Sequence, residues 1–132
     1  MTNKMTTQSD TNKKWVLLVE DEPVINRMCN RILTLEGFNV DVAYDGITAS
    51  QASSEKHYDI CVCDIRMPGL TGIQLFKHWR TNNSHLGSRT IFMTGDTLSK
   101  EVQEFLIESG APYIMKPFSP DDLVIKVKEL LG

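Results

Sequence analysis

The chain has 132 residues, 41% hydrophobic and 23% charged, with a formal charge of −3 from 14 Lys plus Arg against 17 Asp plus Glu. That size points to one domain whose core needs no staples, and the slight acidic excess argues against direct nucleic-acid contact, which wants a basic face. Cys29, Cys61 and Cys63, with no signal-peptide pattern, fit a reduced cytoplasmic chain; no apolar run is long enough to span a bilayer, so no membrane contact is expected.

Residues 1–13 are polar and aperiodic and read as a tail or linker; residues 14–132 read as the domain. Residues 15–19 form a short apolar run, a buried strand. Pro23 suits a first helical position, Val24, Ile25, Met28, Ile32 and Leu33 follow at helical spacing, and Gly37 closes that helix. Residues 38–42 alternate apolar and polar, as a strand does when one face is more polar. Asp45-Gly46 turns the chain into a helix over 47–56, and 58–63 is a third strand. A helix over 72–80 carries Ile73, Leu75, Phe76 and Trp79, and 82–88 reads as a loop. A fourth strand at 90–93 leads to a helix over 98–109 stopped by Gly110. A short fifth strand at 113–115 precedes the last helix, opened by Ser119 as N-cap, Pro120 at N1 and Asp122 at the acidic position of a capping box.

Five strands therefore alternate with five helices. Apolar runs without alternation suggest strands covered on both faces, hence a single doubly wound, mostly parallel α/β sheet. The order that fits is 2-1-3-4-5, taken in part from the resemblance described below. In such a sheet the carboxyl ends of all strands share one edge, and ligands sit where the order reverses, between strands 1 and 3. That edge receives Glu20-Asp21-Glu22, Asp64, Thr94 and Lys116-Pro117. Carboxylates gathered at one point repel unless something neutralises them. A hard cation, Mg²⁺ with Mn²⁺ as a substitute, suits a shallow site of this kind. Carboxylate, cation, amine and hydroxyl together make a place that can receive a phosphoryl group.

The stretches LLVEDEP, DIRMPGLTG, IFMTGD and YIMKPF, in this order and each at a strand end, resemble the signature blocks of the receiver domain of two-component response regulators, of the chemotaxis-regulator type. The resemblance covers residues 14–132 and implies the flavodoxin-like fold. It implies Asp64 as phospho-acceptor and Glu20 and Asp21 as the acidic pair that binds Mg²⁺, Asp21 directly and Glu20 through water. The backbone carbonyl of Arg66 becomes the remaining protein ligand. Thr94 becomes the hydroxyl that moves to the phosphoryl group, Lys116 the amine on a phosphoryl oxygen, and Tyr113 the aromatic that switches rotamer. Pro117 implies a cis peptide before it. The implied donor is a phosphohistidine on a histidine kinase or phosphotransfer domain. The implied output is the face of the fourth helix, fifth strand and fifth helix, which meets a downstream protein or a second copy.

Other readings compete with this one. Glu22 is accounted for by the helix dipole alone. Cys61 and Cys63 share a buried strand face and pack as small apolar groups. His57, His78 and His85 show no metal spacing with them, and Trp79 packs its helix. Arg66 and Asp96, of opposite charge on facing loops, are expected either to pair across the site mouth and restrict water or to stay separately solvated. A phosphatase with an aspartate nucleophile would carry an acid two places after it, where Arg66 stands, so no enzyme acting on outside substrates is expected. A flavin module would need a Ser/Thr/Gly phosphate loop after strand 1, where Glu20-Asp21-Glu22 stands. A scaffold without chemistry would not need the full acidic, hydroxyl and amine set. MTGD and the ending LLG lean by resemblance towards a hybrid histidine kinase over a stand-alone regulator, and 132 residues leave no room for an effector domain.

Overall fold

A computed structural model describes residues 13–67, 69–95 and 99–132. The tail reading of 1–13 thus falls, apart from Lys13, outside the described residues. The elements run β1 (Trp15–Val19), α1 (Pro23–Leu35), β2 (Asn39–Ala43), α2 (Gly46–Glu55), β3 (Ile60–Asp64), α3 (Gly72–Asn82), α4 (Ser84–Gly87), β4 (Thr90–Thr94), α5 (Lys100–Ser109), β5 (Tyr113–Met115) and α6 (Pro120–Leu131). The strands form one sheet of order β2-β1-β3-β4-β5, parallel at every pairing. This is the expected doubly wound fold.

Side chains alternate across the sheet, and each face builds its own core. Leu17, Val19, Cys61, Cys63 and Phe92 pack with Leu75, Phe76, Trp79, Val102 and Phe105 on one side. Val16, Leu18, Ile60, Val62, Ile91 and Met93 pack with Cys29, Leu33, Leu123 and Val127 on the other. Phe76, Phe92 and Phe105 meet edge to face at centroid distances of 5.2–5.6 Å, the arrangement ring quadrupoles favour. Cys61 and Cys63 are buried and free, as packing groups should be.

One expectation needs correction: among the described residues the helices number six, not five, because the stretch read as the loop 82–88 contains α4. Its four residues are too few to show a helical period. Burial of Leu86, 1% exposed, holds the turn, and the Asn83 side chain accepts the Leu86 N–H at 3.3 Å. The other helix ends follow their sequence signals. Gly110 closes α5 at φ 65°, where a side chain would be strained. Ser119 and Asp122 exchange reciprocal bonds, Asp122 N–H to Ser119 Oγ at 3.1 Å and Ser119 N–H to Asp122 Oδ2 at 3.0 Å. Thr71 and Gln74 form a second such box at α3.

Register aligns the site. Val19 pairs with Ala43 on one side and Cys63 on the other, Asp64 with Met93, and Thr94 with Met115. The strand ends therefore lie on one line, and the residues just beyond them form one rim.

Candidate functional site

Asp64 closes β3, a strand buried along its whole length, and is itself only 7% exposed. A carboxylate there is unusual, since charges are rarely buried without partners. Its oxygens reach the Arg66 N–H at 3.4 Å and the Lys116 Nζ at 3.4 Å. Behind it, the Gly72 N–H donates to the Ile65 carbonyl at 2.9 Å. A Cβ on Gly72 would collide with the Asp64 carbonyl oxygen, so only glycine lets α3 start this close to the acceptor strand.

Glu20 follows β1 and is fully buried. Its Oε1 takes the Lys116 ammonium at 2.7 Å, and its Oε2 accepts the Glu22 N–H at 3.1 Å. Its own N–H donates to the Ala43 carbonyl at 3.1 Å. Asp21 is half-buried beside it. Lys116 is fixed through its backbone, whose N–H donates to the Thr94 carbonyl at 2.8 Å, and the peptide to Pro117 is cis. Thr94 is buried at the end of β4. Asp21, Asp64, Arg66, Thr94 and Lys116 line one cavity of about 260 Å³.

The residues on the shared edge thus do converge. Tyr113 does not line that cavity. It is 43% exposed and borders a larger groove of about 720 Å³ with Met115, Phe118 and Ile125. Asp96 and Pro68 lie outside the described residues, so the expected Arg66–Asp96 pair is not described.

The electrostatics show what the cavity wants. Burial, then the Glu20 charge, pushes the Asp64 carboxyl up to about 7 against the pull of Lys116. Burial disfavours the Lys116 ammonium, but the hydrogen bond to Glu20 and the charges of Asp64 and Glu20 outweigh it and raise its pKa. One carboxyl oxygen each from Glu20, Asp21 and Asp64 lie within 4.8 Å of one another. Three carboxylates against one close ammonium leave an excess of negative charge that a hard, oxygen-seeking cation fits.

One side chain of this site escaped sequence reasoning. Asn26, in the first turn of α1, is 1% exposed and donates from Nδ2 to the Glu20 carbonyl at 2.9 Å. Its signal was position: Asn26, Cys29 and Leu33 fall on the one buried stripe of α1, where a polar residue stands out.

Comparison with known proteins decides the family. The model of the response regulator receiver domain matches residues 16–128. The chain belongs to that family. Among curated relatives, ResD of Bacillus subtilis, a transcriptional regulatory protein, is 36% identical over 124 residues, covering 92% of this chain and 49% of ResD. MtrA of Mycolicibacterium smegmatis, a DNA-binding response regulator, is 35% identical over 123 residues, covering 92% of this chain and 52% of MtrA. The chain spans about half the length of these relatives. Among solved structures, the receiver domain protein of Methanospirillum hungatei superposes with a TM-score of 0.83 at 30% identity, covering 91% of this chain and 94% of that one. The receiver domain of the Francisella response regulator 1452 gives 0.79 at 31%, covering 90% and 97%. Among the described residues no helix is long and apolar enough to cross a membrane.

Proposed function

We propose that this receiver domain accepts a phosphoryl group on Asp64 from a phosphohistidine of a partner histidine kinase or phosphotransfer domain, in a Mg²⁺-dependent reaction in the cytoplasm. The observation that carries the reading is the convergence of Glu20, Asp21 and Asp64 oxygens within 4.8 Å beside Lys116 in an open cavity.

In the transfer an ionised Asp64 oxygen attacks phosphorus. The P–N bond breaks, and the leaving imidazole keeps the bonding pair and takes up a proton. Asp21 and Asp64 would hold Mg²⁺ with the Arg66 carbonyl, and Glu20 through water. Bound there, the ion supplies charge neutralisation for the phosphoryl oxygens. Lys116, already aimed at Asp64, adds the second positive charge. Thr94 donates its hydroxyl to a phosphoryl oxygen, and Tyr113 follows by changing rotamer. The added charge thereby biases two states of the domain.

The output surface is the face of α5, β5 and α6. It exposes Ile107, Tyr113, Met115 and Ile125, apolar groups suited to a downstream protein or a second copy. Arg66 stands two places after the acceptor, so no side chain there serves as acid or base for outside substrates. The domain is a self-modifying switch, not an enzyme with turnover. The test is incubation with acetyl phosphate, with and without Mg²⁺, followed by intact-mass measurement. One phosphoryl group is expected, only with the ion, and none on Asp64→Asn. Equal labelling of that variant overturns the assignment.

A further inference from the structure

Asp21 is the weakest-held member of the acidic group. Glu20 has Lys116 and the Glu22 N–H on its carboxylate, and Asp64 has Lys116 and the Arg66 N–H. The Asp21 carboxylate makes no ion pair or hydrogen bond with any described residue. Its position therefore depends on its main chain, and above all on the peptide that joins Glu20 to Asp21.

That peptide is held from two directions. The Glu20 N–H donates to the Ala43 carbonyl of β2 at 3.1 Å, which fixes the residue before it. The Glu20 carbonyl, which belongs to the peptide itself, accepts Asn26 Nδ2 at 2.9 Å. A carbonyl acceptor fixes the amide orientation, because only the NH₂ end can donate. Asn26 also donates its backbone N–H to the Glu22 carbonyl at 2.9 Å, so the first turn of α1 and the end of β1 become one rigid corner. No side chain caps the N-terminus of α1; the reach back from Asn26 takes over the joining of helix and strand. A buried amide costs free energy unless it is bonded, and this one spends its donor on the turn that aims Asp21.

We infer that Asn26 is a positioning residue for the cation site: its side-chain amide sets the Glu20–Asp21 peptide and so directs the Asp21 carboxylate at the ion. The inference rests on the Mg²⁺ site proposed above. Outer-shell groups that orient a metal ligand are worth roughly 10–100-fold in affinity when removed.

The test is a Mg²⁺ titration of the intact chain followed by NMR of the Asp21 and Asp64 amides, beside urea unfolding in chelator. Asn26→Leu keeps the bulk and removes the donor, and Asn26→Ala removes both. Both are expected to weaken Mg²⁺ about tenfold or more. Val127→Ala serves as a control that loosens the core on the same side of the sheet without touching the corner. It should lose stability and keep the wild-type Mg²⁺ affinity. Should either folded Asn26 variant bind Mg²⁺ within twofold of wild type, whatever its stability, Asn26 is only a packing residue. Wild-type protein that fails to bind Mg²⁺ at all overturns the site reading and this inference with it.

Discussion

Two lysines at opposite edges of the sheet meet carboxylates in different ways. At the carboxyl edge Lys116, 17% exposed, stands between fully buried Glu20 at 2.7 Å and Asp64 at 3.4 Å. At the amino edge Lys56, 39% exposed, pairs with Asp41 at 3.0 Å. Its ammonium also lies 3.0 Å from the centre of the Trp15 ring. The Tyr58 hydroxyl donates to the same Asp41 oxygen at 2.7 Å, and burial, then that bond, raises its pKa. There the Asp41 carboxylate meets the Lys56 ammonium, and the Trp15 ring and the Tyr58 hydroxyl complete the contacts of that pair. At the other edge Glu20 and Asp64 share one lysine, and a third carboxylate beside them, Asp21, lacks a partner among the described residues. A balanced cluster is structure; an unbalanced one is a place for a ligand.

The two edges should differ most at Asp64. Asp64→Asn should abolish Mg²⁺-dependent phosphorylation from acetyl phosphate, and Lys56→Met should leave it untouched, both read by intact mass. A Lys56 variant that lost labelling would mean the two edges are coupled.

The next effect is on stability. Lys116→Met leaves the Glu20 carboxylate buried and unpaired, at a cost of about 3–5 kcal/mol, measured by urea unfolding in chelator. Lys56→Met removes an exposed pair and a cation–π contact and should cost about 1 kcal/mol or less. Similar losses at both lysines would erase the distinction between the edges.

A pH series sharpens the same point. Asp64 is raised from 3.8 to about 7 in the metal-free fold, so between those values the folded state binds more protons than the unfolded. Stability then falls as pH rises through that window and levels off above it. The slope of the difference between wild type and Asp64→Asn isolates this group. Saturating Mg²⁺, which favours the ionised carboxylate, should flatten it. A difference that is flat in chelator would show that Asp64 is not perturbed.

The smallest effect lies away from both edges. Ser119→Ala removes the N-cap of α6 and should cost about 1 kcal/mol, with Mg²⁺ affinity unchanged by the NMR titration. A matching loss of affinity would extend the site's support to that helix.

Much of the fold was legible because its signals are local. Unbroken apolar runs marked β1, β3 and β4 as buried on both faces, apolar residues at helical spacing marked α1, although Val24 and Met28 of that set are exposed, and Ser119-Pro120 marked the start of α6. The ends of the strands could be read as well, and with them Asp64, Thr94 and Lys116. The four-residue α4 was not legible, since it exists to bury Leu86 under a cap from Asn83 rather than to satisfy a period. Nor was Asn26, whose partner is a backbone carbonyl six residues back and leaves no side-chain pattern. The placing of Tyr113 on the groove rather than in the cavity likewise follows from which face of an edge strand it occupies.

Which chemical groups stand at the strand ends is written residue by residue, because period and punctuation are local. How those groups share their partners is a matter of packing. Lys116 lies closer to Glu20 than to Asp64, Asn26 holds the acidic corner, and Asp21 is left open. Those choices depend on distances between segments up to 96 positions apart, which packing sets and no local pattern records.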